Sequence, residues 1–264
     1  PRFFAKYTTG TMQDASLNSK ILNFSDIFSM NRTNNLDKPE TGLSFGHGTD
    51  YKSITKNYFE NVNFEKSAGI GQVLRTYRMD KMPNKSSLNN KTSDFAGFVS
   101  LNFLNNKQQI ELDKKSLTAI SDLKKNNSLE FNYNFNLSND FSQFNRNTIS
   151  SLINYEGLNA NLIYDEKNKH IGNEKSATID IKKLINKDYY ISLSGKRNLK
   201  NNTSEYHNFG LSFENDCLTA SINFQRDFYY DRDVVNDKSL ILSIIIKPFG
   251  DDFAPDLSNL INWK

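Results

Sequence analysis

The chain has little of several things. It holds a single cysteine, a single tryptophan and only five prolines in 264 residues. No run of about 18 apolar residues is present, so a membrane-spanning helix is excluded by sequence. Three histidines, His47, His170 and His207, are scattered without metal-ligand spacing, which leaves no basis for a zinc or iron centre. "SFGHG" (44–48) and "GIG" (69–71) lie in strand-like sequence with no helix following. They therefore lack the helix N-terminus of a phosphate-cradling loop and read as points of close strand packing or bends. No nucleophile elbow accompanies the serines, so the chain does not read as an enzyme, and no cofactor is expected. Charges of both signs are interspersed and sum to +3, which gives no block suited to nucleic acid. The acidic stretches "DRD" (231–233) and "GDDFAPD" (250–256) read as solvated loop carboxylates rather than a cation site.

What the chain does have is period-two alternation, the signature of strands with two unlike faces. In "SLEFNYNFNLSND" (128–140), Leu129, Phe131, Tyr133, Phe135 and Leu137 share one face, and Glu130, Asn132, Asn134 and Asn136 the other. In "DFAGFVSLNF" (94–103), Phe95, Val99, Leu101 and Phe103 line up. In "CLTASINFQRDF" (217–228), Leu218, Ala220, Ile222 and Phe224 do so. Weaker alternations fall near 42–52, 62–77, 107–118, 146–155, 157–165, 174–184, 188–198, 204–214 and 238–247. Most joins are short and turn-like, such as "YEGLN" (155–159), "INKD" (185–188) and "LKNN" (199–202), whereas 11–40 and 78–93 are long and strandless. The pattern predicts an all-β, antiparallel up-and-down meander of about a dozen strands with no helix between them.

Alternation fits both a soluble sandwich or barrel and a transmembrane barrel with the faces reversed. Three features favour the membrane. The strands run to about ten residues, the length a tilted strand needs to cross a bilayer. Aromatics gather at strand ends in "NYF" (57–59), "DYY" (188–190) and "FYY" (228–230), as interfacial girdles do. Long and short connections imply two unlike sides. Pro1 is not followed by a charged-then-apolar leader, and "RFFAKYTTG" (2–10) reads as the end of a strand, which is expected of a piece of a longer chain. The expected division is a barrel portion over 1–250 and a C-terminal tail over 251–264.

Several stretches, taken in order, resemble the LPS-assembly protein (LptD) family of outer-membrane lipopolysaccharide transporters. "LNFSDIFSMNRTNNLDKPETGLSFGHGTDY" (22–51) is similar to the family's Asn-Leu-Phe-Ser-x-x-Arg segment and the Asp-Arg-x-Glu-x-Gly run after it. The matching positions are Phe28, Ser29, Asn31 and Arg32, then Asp37, Lys38, Glu40 and Gly42. "GIGQVLRTYR" (69–78) resembles its Gly-Gln-x-x-Arg strand, and "SDFAGFVSLNF" (93–103) the Ser-Asp-hydrophobic-Gly strand that follows. "NDCLTASINFQRDFYYDRD" (215–233) resembles its Glu-Cys-aromatic strand, and "SLILSIIIKPFG" (239–250) its last strand.

The resemblance implies the C-terminal half of a transmembrane barrel of about 26 strands in the outer membrane of a Gram-negative bacterium. It implies that lipopolysaccharide passes through the lumen and leaves by a lateral seam, with no bond made or broken. The implied partners are lipopolysaccharide, a lipoprotein plug in the lumen, outer-membrane lipid, and periplasmic bridge proteins acting through an N-terminal domain outside this sequence. It also implies that Cys217 is disulfide-bonded to that domain. A lone cysteine in an oxidising compartment points to pairing elsewhere, whereas a buried free thiol is the plain alternative.

In the last strand Leu240, Leu242, Ile244 and Ile246 face one way, and Ile241 and Ile245 the other. The resemblance implies that this strand forms the seam, with Pro248, which has no N–H to donate, ending the pairing. Lys196, Arg197, Arg226 and Arg232 sit at strand ends and read first as ordinary interfacial charge, with contacts to lipopolysaccharide phosphates as the alternative. Other readings of the whole chain are a porin or substrate-specific channel and, less favoured, a soluble β-sandwich binding module.

Overall fold

In a computed structural model of the chain, residues 1–33, 35, 37–57, 62–105, 127–228 and 238–246 are described. They form one antiparallel sheet of twelve strands in strict sequence order. The strands are β1 (Arg2–Thr8), β2 (Gly42–Asn57), β3 (Val62–Arg75), β4 (Phe95–Asn105), β5 (Asn127–Leu137) and β6 (Phe144–Tyr155). They continue with β7 (Leu158–Lys167), β8 (Glu174–Leu184), β9 (Tyr189–Asn198), β10 (Thr203–Glu214), β11 (Leu218–Asp227) and β12 (Lys238–Ile246). The all-β, up-and-down meander is as the alternation predicts. The sheet does not close on itself: β1 and β12 each pair with one neighbour among the described residues. The alternation near 107–118 and the tail over 251–264 lie outside the described residues.

Short joins follow their turn chemistry. Glu156 and Gly157 both adopt positive φ, 42° and 77°, between β6 and β7. That pair of left-handed residues makes the tight hairpin whose twist matches the flanking strands. The long segments 9–41 and 76–94 carry no strand, as expected. They do contain a 3-10 turn, Asn84–Ser86, and one turn of α-helix, α1 (Phe24–Ile27), which the alternation does not predict. Its signal was the Asn-x-x-Asp spacing of a capping box: the Asp26 carboxylate accepts a hydrogen bond from the Asn23 backbone N–H at 2.9 Å.

The pairing register sorts every strand into two faces. One face is apolar from edge to edge, running through Phe45, Val99, Tyr133, Ile149, Leu162, Ile179, Leu193, Phe209, Ile222 and Leu242. Many of these side chains are exposed, among them Leu193, Phe209, Ile222 and Leu242. The other face is polar and cross-linked by side chains. Ser100 Oγ donates to Asn132 Oδ1 at 2.7 Å, Thr148 Oγ1 to Asp165 Oδ1 at 2.6 Å, and Asn154 Nδ2 to Ser128 Oγ at 2.9 Å.

The buried apolar cluster lies on the polar side, not the apolar side. Met12, Ala15, Leu22, Phe24, Ile27, Met79, Met82 and Leu88, all from the two long segments, close over Val73 and Ala96. The long segments therefore fold as a plug on the polar face, and the apolar face carries no second layer among the described residues.

Candidate functional site: the plug on the polar face

The site begins with missing side chains. Gly46 and Gly48 on β2 and Gly69 and Gly71 on β3 all point to the polar face. Together they strip that part of the sheet down to backbone. Helix α1 drops into the gap. A Cβ on Gly46 would lie 2.5 Å from the Ile27 carbonyl oxygen, and one on Gly69 would lie 3.0 Å from the Phe24 ring. The glycines of "SFGHG" and "GIG" therefore do mark close packing, here of a loop helix against strands. Phe24 stacks edge-on with Phe28 at 5.4 Å and tilts against Phe98 at 5.2 Å, which fixes the helix over β3 and β4.

Beside the helix lies a buried charge cluster. Arg32, Glu40, Arg75 and Lys6 have side chains only 0%, 1%, 2% and 5% exposed. Arg32 donates to Glu40 Oε1 at 2.8 Å, to Ser44 Oγ at 2.9 Å and to the Ile27 carbonyl at 2.8 Å. Arg75 Nη2 pairs with the same Glu40 oxygen, and Lys6 Nζ lies 3.5 Å from the other. One carboxylate thus holds three cations, drawn from the plug, β1 and β3. Arg32 also neutralises the carbonyl end of α1, where the helix dipole favours a cation.

The second loop is tied down by Ser93 and Asp94. The Ser93 carbonyl accepts from Gln72 Nε2 at 2.8 Å, and the Val73 N–H donates to Ser93 Oγ at 3.0 Å. Asp94 Oδ2 accepts from Asn145 Nδ2 at 2.8 Å and faces His170 Nε2 at 3.3 Å. Further ties reach β5 and β6: Asn136 Nδ2 donates to the Leu22 carbonyl, and Arg146 Nη1 to Asn23 Oδ1, both at 2.8 Å. Three of the five stretches that carry the resemblance, 22–51, 69–78 and 93–103, build this plug through Arg32, Glu40, Gly71, Gln72, Arg75, Ser93 and Asp94.

Burial pushes the Asp94 carboxyl up from its usual range and the His170 imidazole down. Asp94 holds its proton more tightly in the fold, so its contribution is full below about pH 3.9 and is lost as pH rises through the folded value. His170 resists protonation, so its contribution is full above about pH 6.5 and is lost as pH falls. The two oppose each other in the window between. Asp94→Asn is expected to lose stability as pH falls from 6.5 to 4.5, while His170→Gln gains it. Thermal unfolding of both variants across that window checks this; slopes of the same sign would refute it.

The remaining site residues lie elsewhere. Cys217 is an exposed free thiol in the β10–β11 turn, where its N–H donates to Asn215 Oδ1 at 2.9 Å. The exposed position removes the buried-thiol alternative. Leu240, Leu242, Ile244 and Ile246 share the apolar face of β12 and pair with β11 as far as Leu218↔Ile246. Ile241 and Ile245 turn to the other face, as the alternation predicts, and the outer edge of β12 is unpaired among the described residues. Pro248, Arg232 and both acidic stretches lie outside the described residues. Cys217 and the end of β12 are at one end of the sheet and the plug is at the other.

No family model matches the chain, and no curated protein matches it.

Proposed function

We propose that this chain is part of a transmembrane β-barrel of the outer membrane of a Gram-negative bacterium, which delivers lipopolysaccharide to the outer leaflet. One observation carries the reading: the loops cover the polar face and leave the apolar face bare. A soluble sandwich does the reverse, because its apolar faces have to meet each other. A barrel in lipid wants an apolar exterior and a polar, occupied lumen. Strands of nine to twelve residues over β4 to β12 suit the crossing. Tyr155, Tyr189 and Phe213 at one end of the apolar face, and Tyr7, Phe45 and Phe144 at the other, suit two interfacial girdles.

The ends differ in a way that supports an orientation. Joins 156–157, 185–188 and 215–217 are short, with 106–126 the long exception at that end, while the plug segments 9–41 and 76–94 lie at the other. Barrels of this kind put short turns in the periplasm and long loops outside. That orientation sets Cys217 in the periplasm, open to a disulfide with a domain outside this sequence. It also leaves the free edge of β12, with Leu240, Leu242, Ile244 and Ile246 toward lipid, as one lip of a lateral seam. A lipoprotein in the lumen and a periplasmic bridge complete the expected assembly. The work is passage of a lipid, with no covalent chemistry.

Cys217→Ser is expected to abolish a reductant-sensitive gel shift of the full-length protein from outer membranes and to lower surface lipopolysaccharide. Identical mobility of both proteins with and without reductant would remove the disulfide. Steady ion conductance in planar bilayers with unchanged surface lipopolysaccharide would put a diffusion channel in its place.

A further inference from the structure

The apolar face is not uniform at its plug end. Arg197, Arg226 and Lys238 stand on that face, each within one residue of the end of β9, β11 or β12. Arg226 and Lys238 are directly opposite each other across β11 and β12, and His207 is the next neighbour of Arg226 on β10. The basic residues of the sequence divide here: Lys196 turns to the polar face and pairs with Glu205 at 2.7 Å. Lys175, at the same level on β8, has the Glu166 carboxylate 3.8 Å away. No carboxylate among the described residues pairs with Arg197, Arg226 or Lys238. Arg197 donates to the neutral amide of Asn202 at 2.6 Å, and Arg226 lies over the Phe228 ring at 4.4 Å with its Nε unpartnered.

This is not a general rim of interfacial charge. Along β1 to β6 the same end of the face presents Tyr7, Phe45, Leu74, Phe95, Leu137 and Phe144. At the opposite end Lys66 lies over the Phe64 ring at 4.8 Å and Lys183 donates to the Glu156 carbonyl. At the plug end, the cations of the apolar face without a carboxylate partner among the described residues are confined to β9–β12. Below them on the same face is a hollow of about 950 Å³, lined by Ile149, Leu162, Ile179, Leu193, Phe209 and Phe224 and reaching Arg197 and His207.

We propose that this part of the apolar face seats a lipid whose head carries more than one phosphate, with its acyl chains along the hollow and its phosphates on Arg197, Arg226 and Lys238. The proposal rests on the lipid-facing reading of the apolar face given above. Guanidinium forks match phosphate oxygens two at a time. Strands β9 to β12 span three spacings, about 14 Å, more than one phosphate can bridge. Aliphatic stems laid on apolar surface keep such cations at the lipid–water boundary, where they are tolerated.

The test uses the full chain in detergent, with bis-phosphorylated lipid A and its monophosphoryl form as probes in native mass spectrometry. Two variants of equal charge change are compared: Arg197→Gln/Arg226→Gln/Lys238→Gln on the apolar face, and Lys52→Gln/Lys182→Gln/Lys196→Gln on the polar face. The first is expected to weaken retention of the bis-phosphorylated lipid by roughly tenfold, the second to leave it unchanged, and the wild type to prefer two phosphates to one. Equal retention by wild type and the first variant overturns the proposal, as does equal loss in both variants. If the triple variant does not fold, Lys238→Gln alone, at an exposed edge, is expected to give about a threefold loss, and wild-type retention by it overturns the proposal equally. Partition into the detergent phase separates the two readings. A wild type that stays in the aqueous phase defeats the lipid-facing reading itself; one that partitions but shows no rim effect defeats only the lipid seat.

Discussion

Glu40→Ala is expected to release the plug from the sheet. Its carboxylate is the one anion among three buried cations, Lys6, Arg32 and Arg75, and its removal leaves all three uncompensated. Stripping the counter-charge from a buried ion pair costs about 3–5 kcal/mol, because the remaining charge keeps its desolvation penalty. The cations come from three separate elements, so their repulsion pushes the plug away from β1 and β3. Amide exchange over 24–33 should accelerate roughly a hundredfold or more, while exchange over β7–β10 stays put. Glu40→Gln keeps the shape and an acceptor but not the charge, and should lie near the alanine variant. If Glu40→Gln behaves like wild type, the cluster is held by hydrogen bonds and not by charge. Replacing Lys6, Arg32, Glu40 and Arg75 together by Met, Leu, Met and Met should restore part of the loss, since apolar replacement of a whole buried cluster is often neutral.

Gly46→Leu is expected to displace α1 by steric means, with no change in charge. The new Cβ would lie 2.5 Å from the Ile27 carbonyl oxygen, which is backbone and part of the Arg32 network. Overpacking a filled site costs about 1–3 kcal/mol, and here it acts on a carbonyl that cannot rotate aside. The helix would have to lift, which exposes Leu22, Phe24 and Ile27 together. Protease cleavage within 9–41 should appear in the variant and be absent in wild type. On the reading proposed above, an ion current through the assembled barrel should also rise. Gly10→Leu is the control: unlike Gly46 it has a positive φ, 103°, to contend with, but a Cβ there meets nothing within 4 Å. Cleavage in Gly10→Leu equal to that in Gly46→Leu would mean that loop strain, not the crowded cradle, frees the segment.

The two variants attack the plug by unrelated routes. If both raise exchange over 24–33 and neither alters β7–β10, the plug is a separately stable layer on a sheet that does not need it. On the reading proposed above, that separation suits a lumen whose contents move aside for a passing lipid.

The strands, their faces and their order were legible in the sequence. Alternation has a period of two and each strand pairs with the next, so 128–140 in the sequence became Asn127–Leu137 in the fold with the same five residues on its apolar face. Of the aromatics that gather at strand ends, Tyr189 opens β9 as the sequence suggests, and 58–59 and 229–230 lie outside the described residues. Arg32, Glu40, Ser93 and Asp94 stood out in the sequence only through resemblance, because neither alternation nor spacing reveals that a loop will fold back. Tertiary structure alone decided three things. It set α1 on the glycines of β2 and β3, an encounter between segments about twenty to forty-five residues apart that no local pattern encodes. It gathered Lys6, Arg32 and Arg75 onto Glu40, from three elements whose side chains each look solvated in sequence. It also brought Glu205 to Lys196 at 2.7 Å, while the neighbouring Arg197, which the period of two turns to the apolar face, has no carboxylate partner among the described residues. The sequence determines which face of a strand is apolar, since that is fixed within each strand. What covers either face is fixed by contacts between distant segments, and only the folded chain brings those together.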